Sequence, residues 1–306
     1  MAWLSIRLST PAARIDALSD VLLDTGALAI TLRDAADVPV LEPGPGETPM
    51  WPYAELEALF PLDVDLSAVR TRLIVEMGSL ASAALDVRFI EDSDWSQTWR
   101  NHAVEHCFGG RLWVVPRDAN PPSDAVAVLH LDPGLAFGTG SHATTAMCLD
   151  WLASRSLDGW SVVDYGAGSG ILGIAALLLG AANVVAVDHD EQARLATQSN
   201  GTYNDNRNDG IDQGINGIVS RRLLVLAPDE LETTPHDLVV ANILAGPLKT
   251  LAPVLTELVR PGGMLVMSGM LAHQLDDVLA AYPEFRFAPA QERDSWVMVE
   301  GTRAGG

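Results

Sequence analysis

Lysine is almost absent from this sequence. Lys249 is the only one in 306 residues, and arginine supplies the rest of the 19 basic side chains, set against 40 acidic ones. The resulting net charge of −21 argues against a phosphate backbone as the main partner, because like charges repel. It is compatible with a basic protein partner or a small cationic ligand, and it also serves plain solubility. Cysteine is scarce as well: Cys107 and Cys148 are too few for a disulfide framework, which fits a reducing compartment. No basic segment followed by an apolar run opens the chain, so no signal peptide is expected. The longest apolar run, Ile171 to Ala182, is interrupted by Gly173 and Gly180 and falls short of the roughly 20 residues a bilayer span requires. The expectation is a cytoplasmic chain with no membrane partner.

What is present suffices for a large core, since 48% of the residues are hydrophobic, and the length allows two domains. Residues 1–91 alternate strand and helix signals. Trp3, Leu4, Ile6 and Leu8 begin a strand, and Ile15, Leu18, Val21 and Leu22 fall at helical spacing before Gly26. Leu28, Ile30 and Leu32 alternate as a strand does; Tyr53 to Phe60 is ambiguous between strand and helix. Leu66 to Met77 reads as a second helix, and Leu85, Val87 and Phe89 alternate again. If the ambiguous segment is a strand, the order is that of a small ferredoxin-like α+β domain. Residues 92–108 show no period and hold Trp95, Trp99, His102 and His106, so they read as a linker, with Trp95, Trp99 and Trp113 as packing residues. His102, His106 and Cys107 lack further ligands nearby in the sequence, and no metal site is expected.

Residues 109–306 form the second domain. Leu112 to Val115 is a short strand. From Asp158 onward strands alternate with helices: Val162–Asp164, Val184–Asp188, Leu223–Leu226, Leu238–Ala241 and Met264–Met267 are strands, Ile171, Ile174, Ala175 and Leu178 mark one helix, and Leu248, Leu251, Leu255 and Leu258 another. The fold class is therefore α/β, a parallel sheet covered on both faces. Glu284–Pro289 and Ser295–Glu300 are joined too tightly for a crossover helix and should pair antiparallel.

The chemistry-bearing segments sit at strand ends. Asp164-Tyr165-Gly166-Ala167-Gly168-Ser169-Gly170 links an apolar strand to an apolar helix. Such a glycine turn lets a ligand approach the backbone, with the helix N-terminus favouring a negative group. Asp188 ends the next strand, where a carboxylate can accept hydrogen bonds from ribose hydroxyls. The spacing Gly166-x-Gly168-x-Gly170 is tighter than the dehydrogenase form, and the terminal hairpin suits a methyltransferase sheet better than an all-parallel one. Together they favour S-adenosyl-L-methionine over a dinucleotide, although a dehydrogenase stays open at this point. Asn242, at the end of the fourth strand, offers a donor and an acceptor for an incoming amine; the alternative is an asparagine capping the helix near Pro247. Asp132 to Thr145 is a glycine-rich loop that can drape over a ligand, with Phe137 as an apolar cover.

The strings DPGLAFGTGSHATT, VVDYGAGSGILGIAA and DLVVANILAGPL, in this order, resemble the ribosomal protein L11 methyltransferase (PrmA) family over roughly residues 92–300. The resemblance implies a seven-stranded, Rossmann-like methyltransferase sheet behind the small domain. It implies that Thr145, Gly166, Gly168, Asp188 and Asn242 bind S-adenosyl-L-methionine, with Asn242 also catalytic. The product would be methylated lysine side-chain and N-terminal amines of ribosomal protein L11, made by a monomer whose flexible linker repositions the small domain. The sequence departs from the family pattern at Tyr165 and Ala167, where a smaller residue and a cysteine are usual, and at Ser141 and Ala143, where threonine and proline are usual. Residues 200–217 are longer and more polar than the family's, which leaves the adenine contacts unassigned.

Overall fold

A computed structural model describes residues 2–35, 51–77, 86–91, 105–122, 125–131, 140–207 and 218–305. Phe137, Trp95, Trp99 and His102 lie outside them. The chain divides into two compact units, Met1–Trp99 and Arg100–Gly306.

The first unit runs β1 (Ala2–Pro11), α1 (Ile15–Asp24), β2 (Ala29–Asp34), β3 (Tyr53–Pro61), α2 (Leu66–Met77) and β4 (Asp86–Glu91). Its sheet has the order β2-β3-β1-β4, and every pairing is antiparallel. The ambiguous segment Tyr53–Phe60 is a strand: Ala54, Leu56, Ala58 and Phe60 are all buried, a period of two that only a strand produces. They pack with Leu4, Ile6 and Leu8 of β1 against Leu18 and Leu22 of α1 and Leu73 of α2. On the neighbouring positions Glu57 joins Arg7 and Arg33 at 2.9 and 2.8 Å.

The second unit opens with β5 (His106–Phe108), β6 (Leu112–Pro116) and β7 (Ala127–Leu131), a three-stranded sheet, followed by α3 (Ala143–Ala153). Then come β8 (Ser161–Tyr165), α4 (Ile171–Leu178), β9 (Asn183–Val187), α5 (Glu191–Arg207), α6 (Ile218–Arg222) and β10 (Leu223–Leu226). They are followed by β11 (His236–Asn242), α7 (Ala245–Thr250), α8 (Ala252–Leu258), β12 (Val259–Leu271) and α9 (Leu275–Leu279). Three strands close the chain: β13 (Phe285–Phe287), β14 (Gln291–Arg293) and β15 (Trp296–Arg303). The main sheet has the order β10-β9-β8-β11-β12-β15-β13, with β14 attached to β15. The first five strands are parallel, while β15 runs antiparallel to β12 and to β13.

The central strands read as continuous apolar runs because both faces are covered. Val162, Val240 and Val266 face a core shared with α3 and α4, whereas Val163, Val239 and Leu265 face one shared with α7 and α8. Four details depart from the sequence reading. The helix expected from Leu248 to Leu258 is two helices broken at Leu251, where Pro253 lacks the N–H that would continue the first. The polar segment before β15 forms β14, closed by a two-residue turn in which Asp294 and Ser295 both have positive φ. His106–Phe108, at the end of the expected linker, is a strand paired with β6. The polar stretch beginning at Asn200 starts inside α5, which continues to Arg207. Among the described residues no helix is long and apolar enough to cross a membrane.

Candidate active site

Register places the chemistry. Tyr165 of β8 pairs with Val187 of β9 on one side and Ala241 of β11 on the other. The residues that follow these three, Gly166, Asp188 and Asn242, therefore share one end of the sheet, the carboxyl end where open α/β sheets bind ligands.

The glycine turn leaves β8 and enters α4 with positive φ at Gly166, Gly168 and Gly170. At Gly166 a side chain is also excluded sterically, since an added Cβ would overlap the side chain of Ile243. The N–H groups of Gly166 and Ala167 both donate to the Val187 carbonyl, at 2.7 and 3.0 Å. Tyr165 and Ala167, two departures from the expected pattern, bury their side chains in the core.

Asp188 is buried and does more than end a strand. One carboxylate oxygen accepts the Gly168 N–H at 2.8 Å and the other accepts the Asp190 N–H at 3.0 Å. Each oxygen has a second lone pair, so the same carboxylate can hold the turn and still accept from two hydroxyls.

Asn242 donates from Nδ2 to the Thr145 hydroxyl at 3.1 Å. It does not cap the next helix: α7 begins after Leu244, which occupies the cap position. Thr145 stands in the first turn of α3, whose cap is His142. The imidazole Nδ1 accepts the Thr144 N–H at 3.4 Å, and its ring meets Trp296 edge to face at 5.1 Å. Because the amide N–H₂ of Asn242 points at Thr145, its carbonyl oxygen is turned the other way and offers a hydrogen-bond acceptor.

Sequence reasoning missed four residues beneath the turn. Thr197, Asn200 and Asn204 are buried polar side chains on one face of α5, a helical spacing that was visible once burial was known. The fourth is Asp164, an acid inside an apolar strand. One of its oxygens accepts the Gly173 N–H at 2.8 Å, and the other is buried with no hydrogen-bond partner among the described residues. Burial, reinforced by the charge of Asp188, pushes Asp164 up to about 7. Burial and Asp164 likewise push the Cys148 thiol up to about 12, which keeps it protonated and unreactive.

The raised acid fixes a pH dependence. Below about pH 4 Asp164 is neutral in both folded and unfolded states. Above that only the unfolded chain ionises, so stability falls as pH rises, until the folded group titrates near 7. Asp164→Asn keeps an acceptor for Gly173 and removes the penalty. Thermal melts of the unliganded chain should show the variant gaining on the parent between pH 4 and pH 7 and holding that margin above. A margin independent of pH would contradict a buried, raised Asp164.

The sequence model described as Ribosomal protein L11 methyltransferase (PrmA) matches residues 2–304. A ribosomal protein L11 methyltransferase of Azotobacter vinelandii is 46% identical over 305 residues, covering 99% of this chain and all of the relative. One of Pseudomonas syringae pv. tomato is 44% identical over 306 residues, with the same coverage. Among solved structures, a ribosomal protein L11 methylase from Lactobacillus delbrueckii subsp. bulgaricus superposes with a TM-score of 0.52 at 29% identity, covering 63% of this chain and 95% of that one.

Proposed function

The chain belongs to the ribosomal protein L11 methyltransferase (PrmA) family, and on that premise we propose that it methylates the lysine side-chain and N-terminal amines of ribosomal protein L11 with S-adenosyl-L-methionine as donor. The observation that carries the proposal is the pair of hydrogen bonds at one sheet end: from the Gly168 N–H to Asp188, and from the Asn242 amide to the Thr145 hydroxyl. The first pair belongs to a cofactor half, over β8 and β9; the second faces the amine, over β11.

The donor set fits S-adenosyl-L-methionine. Asp188 suits the ribose hydroxyls, the glycine turn at the start of α4 suits the methionine carboxylate, and Thr145, Gly166 and Gly168 complete the set. Phe137 is assigned as the apolar cover from sequence alone. When bound, the donor supplies an electrophilic methyl group on a sulfonium. The protein's task is then to align a neutral amine with it. A free lysine has a pKa near 10.4 and must lose its proton first; desolvation at the sheet end lowers that value. The Asn242 carbonyl accepts a hydrogen bond from the amine and holds its lone pair in line, the kind of alignment worth several kcal/mol. The remaining proton leaves to water.

The strand order β2-β3-β1-β4 with both helices on one face supports reading residues 1–91 as a ferredoxin-like substrate-recognition domain, followed by a linker that ends before β5 and a catalytic domain that starts with it. The seven strands on one path, with β15 antiparallel to its neighbours β12 and β13, support the methyltransferase sheet. The net charge of −21 complements a basic protein and disfavours direct nucleic-acid binding. We place the protein in the cytoplasm, as a monomer without a membrane partner.

The test is to incubate the chain with methyl-labelled S-adenosyl-L-methionine and a ribosomal extract, then identify the labelled species by mass spectrometry. Label in ribosomal protein L11 is expected; label confined to RNA or small molecules would overturn the protein substrate.

A further inference from the structure

The glycine turn is held from behind by one face of α5. Thr197 donates from its hydroxyl to the Gly168 carbonyl at 3.0 Å. One turn on, Asn200 donates from its amide to the Ser169 carbonyl at 2.9 Å. A further turn on, Asn204 donates to the Asn200 carbonyl and to the His130 carbonyl of β7, both at 2.8 Å, and accepts the His130 N–H at 2.8 Å. The three side chains are at most 1% exposed. The helix packs close: a Cβ at Gly170 would lie 2.8 Å from the Thr197 methyl group.

These bonds fix peptide planes. In a trans peptide the C=O and N–H point in opposite directions. Drawing the Gly168 carbonyl toward α5 therefore sends the Ser169 N–H to the side of the turn away from the helix. Drawing the Ser169 carbonyl the same way aims the Gly170 N–H back at the Ala167 carbonyl, which it reaches at 2.8 Å. With Gly168 N–H held by Asp188, the turn is set from both sides.

We infer that Thr197 and Asn200 are positioning residues for the cofactor: through the Gly168 and Ser169 carbonyls they hold the glycine turn in its binding geometry before the ligand arrives. Neither touches the ligand. They act by removing the ordering cost that a loose turn would pay on binding. The inference rests on the glycine turn being the S-adenosyl-L-methionine site.

Thr197→Val keeps the side chain's shape and removes the hydroxyl; Thr197→Ala removes it without relying on valine's fit; Thr197→Ser restores it. Binding of S-adenosylhomocysteine to the full chain is measured by calorimetry, together with steady-state kinetics and the melting temperature of the unliganded chain. Valine and alanine should each weaken binding about tenfold, the loss of one buried hydrogen bond. Serine should stay near the parent value. The KM for S-adenosyl-L-methionine should rise accordingly, with kcat at saturating donor and the KM for the protein substrate unchanged. Parent-like affinity in both valine and alanine variants overturns the inference, as does an equal loss in alanine and serine, which would mark Thr197 as a packing residue only. A parent chain that fails to bind S-adenosylhomocysteine overturns the cofactor reading itself and the inference with it, a result distinct from the other two.

Discussion

Asp188→Ala should raise the dissociation constant for S-adenosylhomocysteine by a factor of about 100 or more, measured by calorimetry, because each hydrogen bond to a charged group is worth about 1.5–3 kcal/mol. Two things are lost together. The carboxylate proposed to accept from the ribose disappears, and the Gly168 N–H loses its 2.8 Å partner. The double role makes the asparagine variant informative. Asp188→Asn retains one acceptor oxygen, which can serve Gly168 or a hydroxyl but carries no charge, so an intermediate loss is expected. Affinity within threefold of the parent in the alanine variant would remove Asp188 from the site.

Asn242→Ala should cost about 100- to 1,000-fold in kcat, the range seen when a single group acting on the transition state is deleted. The reason is directional. Asn242 commits its N–H₂ to Thr145, which fixes the orientation of the carbonyl proposed to receive the amine. Thr145→Val leaves Asn242 in place but lets its amide turn, so a smaller fall in kcat is expected there. Cofactor affinity should drop far less than kcat in the alanine variant. If kcat were preserved and only the donor's KM rose, Asn242 would be a cofactor ligand and nothing more.

How much of this was legible in the sequence follows from what each pattern encodes. The apolar strands at Val162, Val184 and Leu238 announced themselves because a strand buried on both faces has no polar alternation to lose. Their order put Gly166, Asp188 and Asn242 at strand ends before any coordinates were known. The short strands did not show. His106–Phe108 and Gln291–Arg293 have only three residues each, and they exist because β6 and β15 offer edges to pair with. The four leucines at helical spacing read as one helix because the pattern runs on through the break that Pro253 imposes at Leu251. Thr197, Asn200 and Asn204 carry no apolar signal that would mark their face as buried; only packing shows that it lies on the glycine turn. Asp164 was read as part of the turn's sequence, while its carboxylate faces inward to Gly173. Backbone path follows pattern, whereas a buried polar contact depends on which distant carbonyl arrives opposite it.

The measurement that bears most directly on the central claim is the intact mass of purified ribosomal protein L11 after incubation with this chain and S-adenosyl-L-methionine, followed by peptide mapping. The account predicts mass increments of whole methyl groups, located on lysine side chains and the N-terminal amine, and a far slower appearance of the same increments with Asn242→Ala at the same protein concentration. An unchanged L11 mass, from a chain shown to bind S-adenosylhomocysteine, would contradict it.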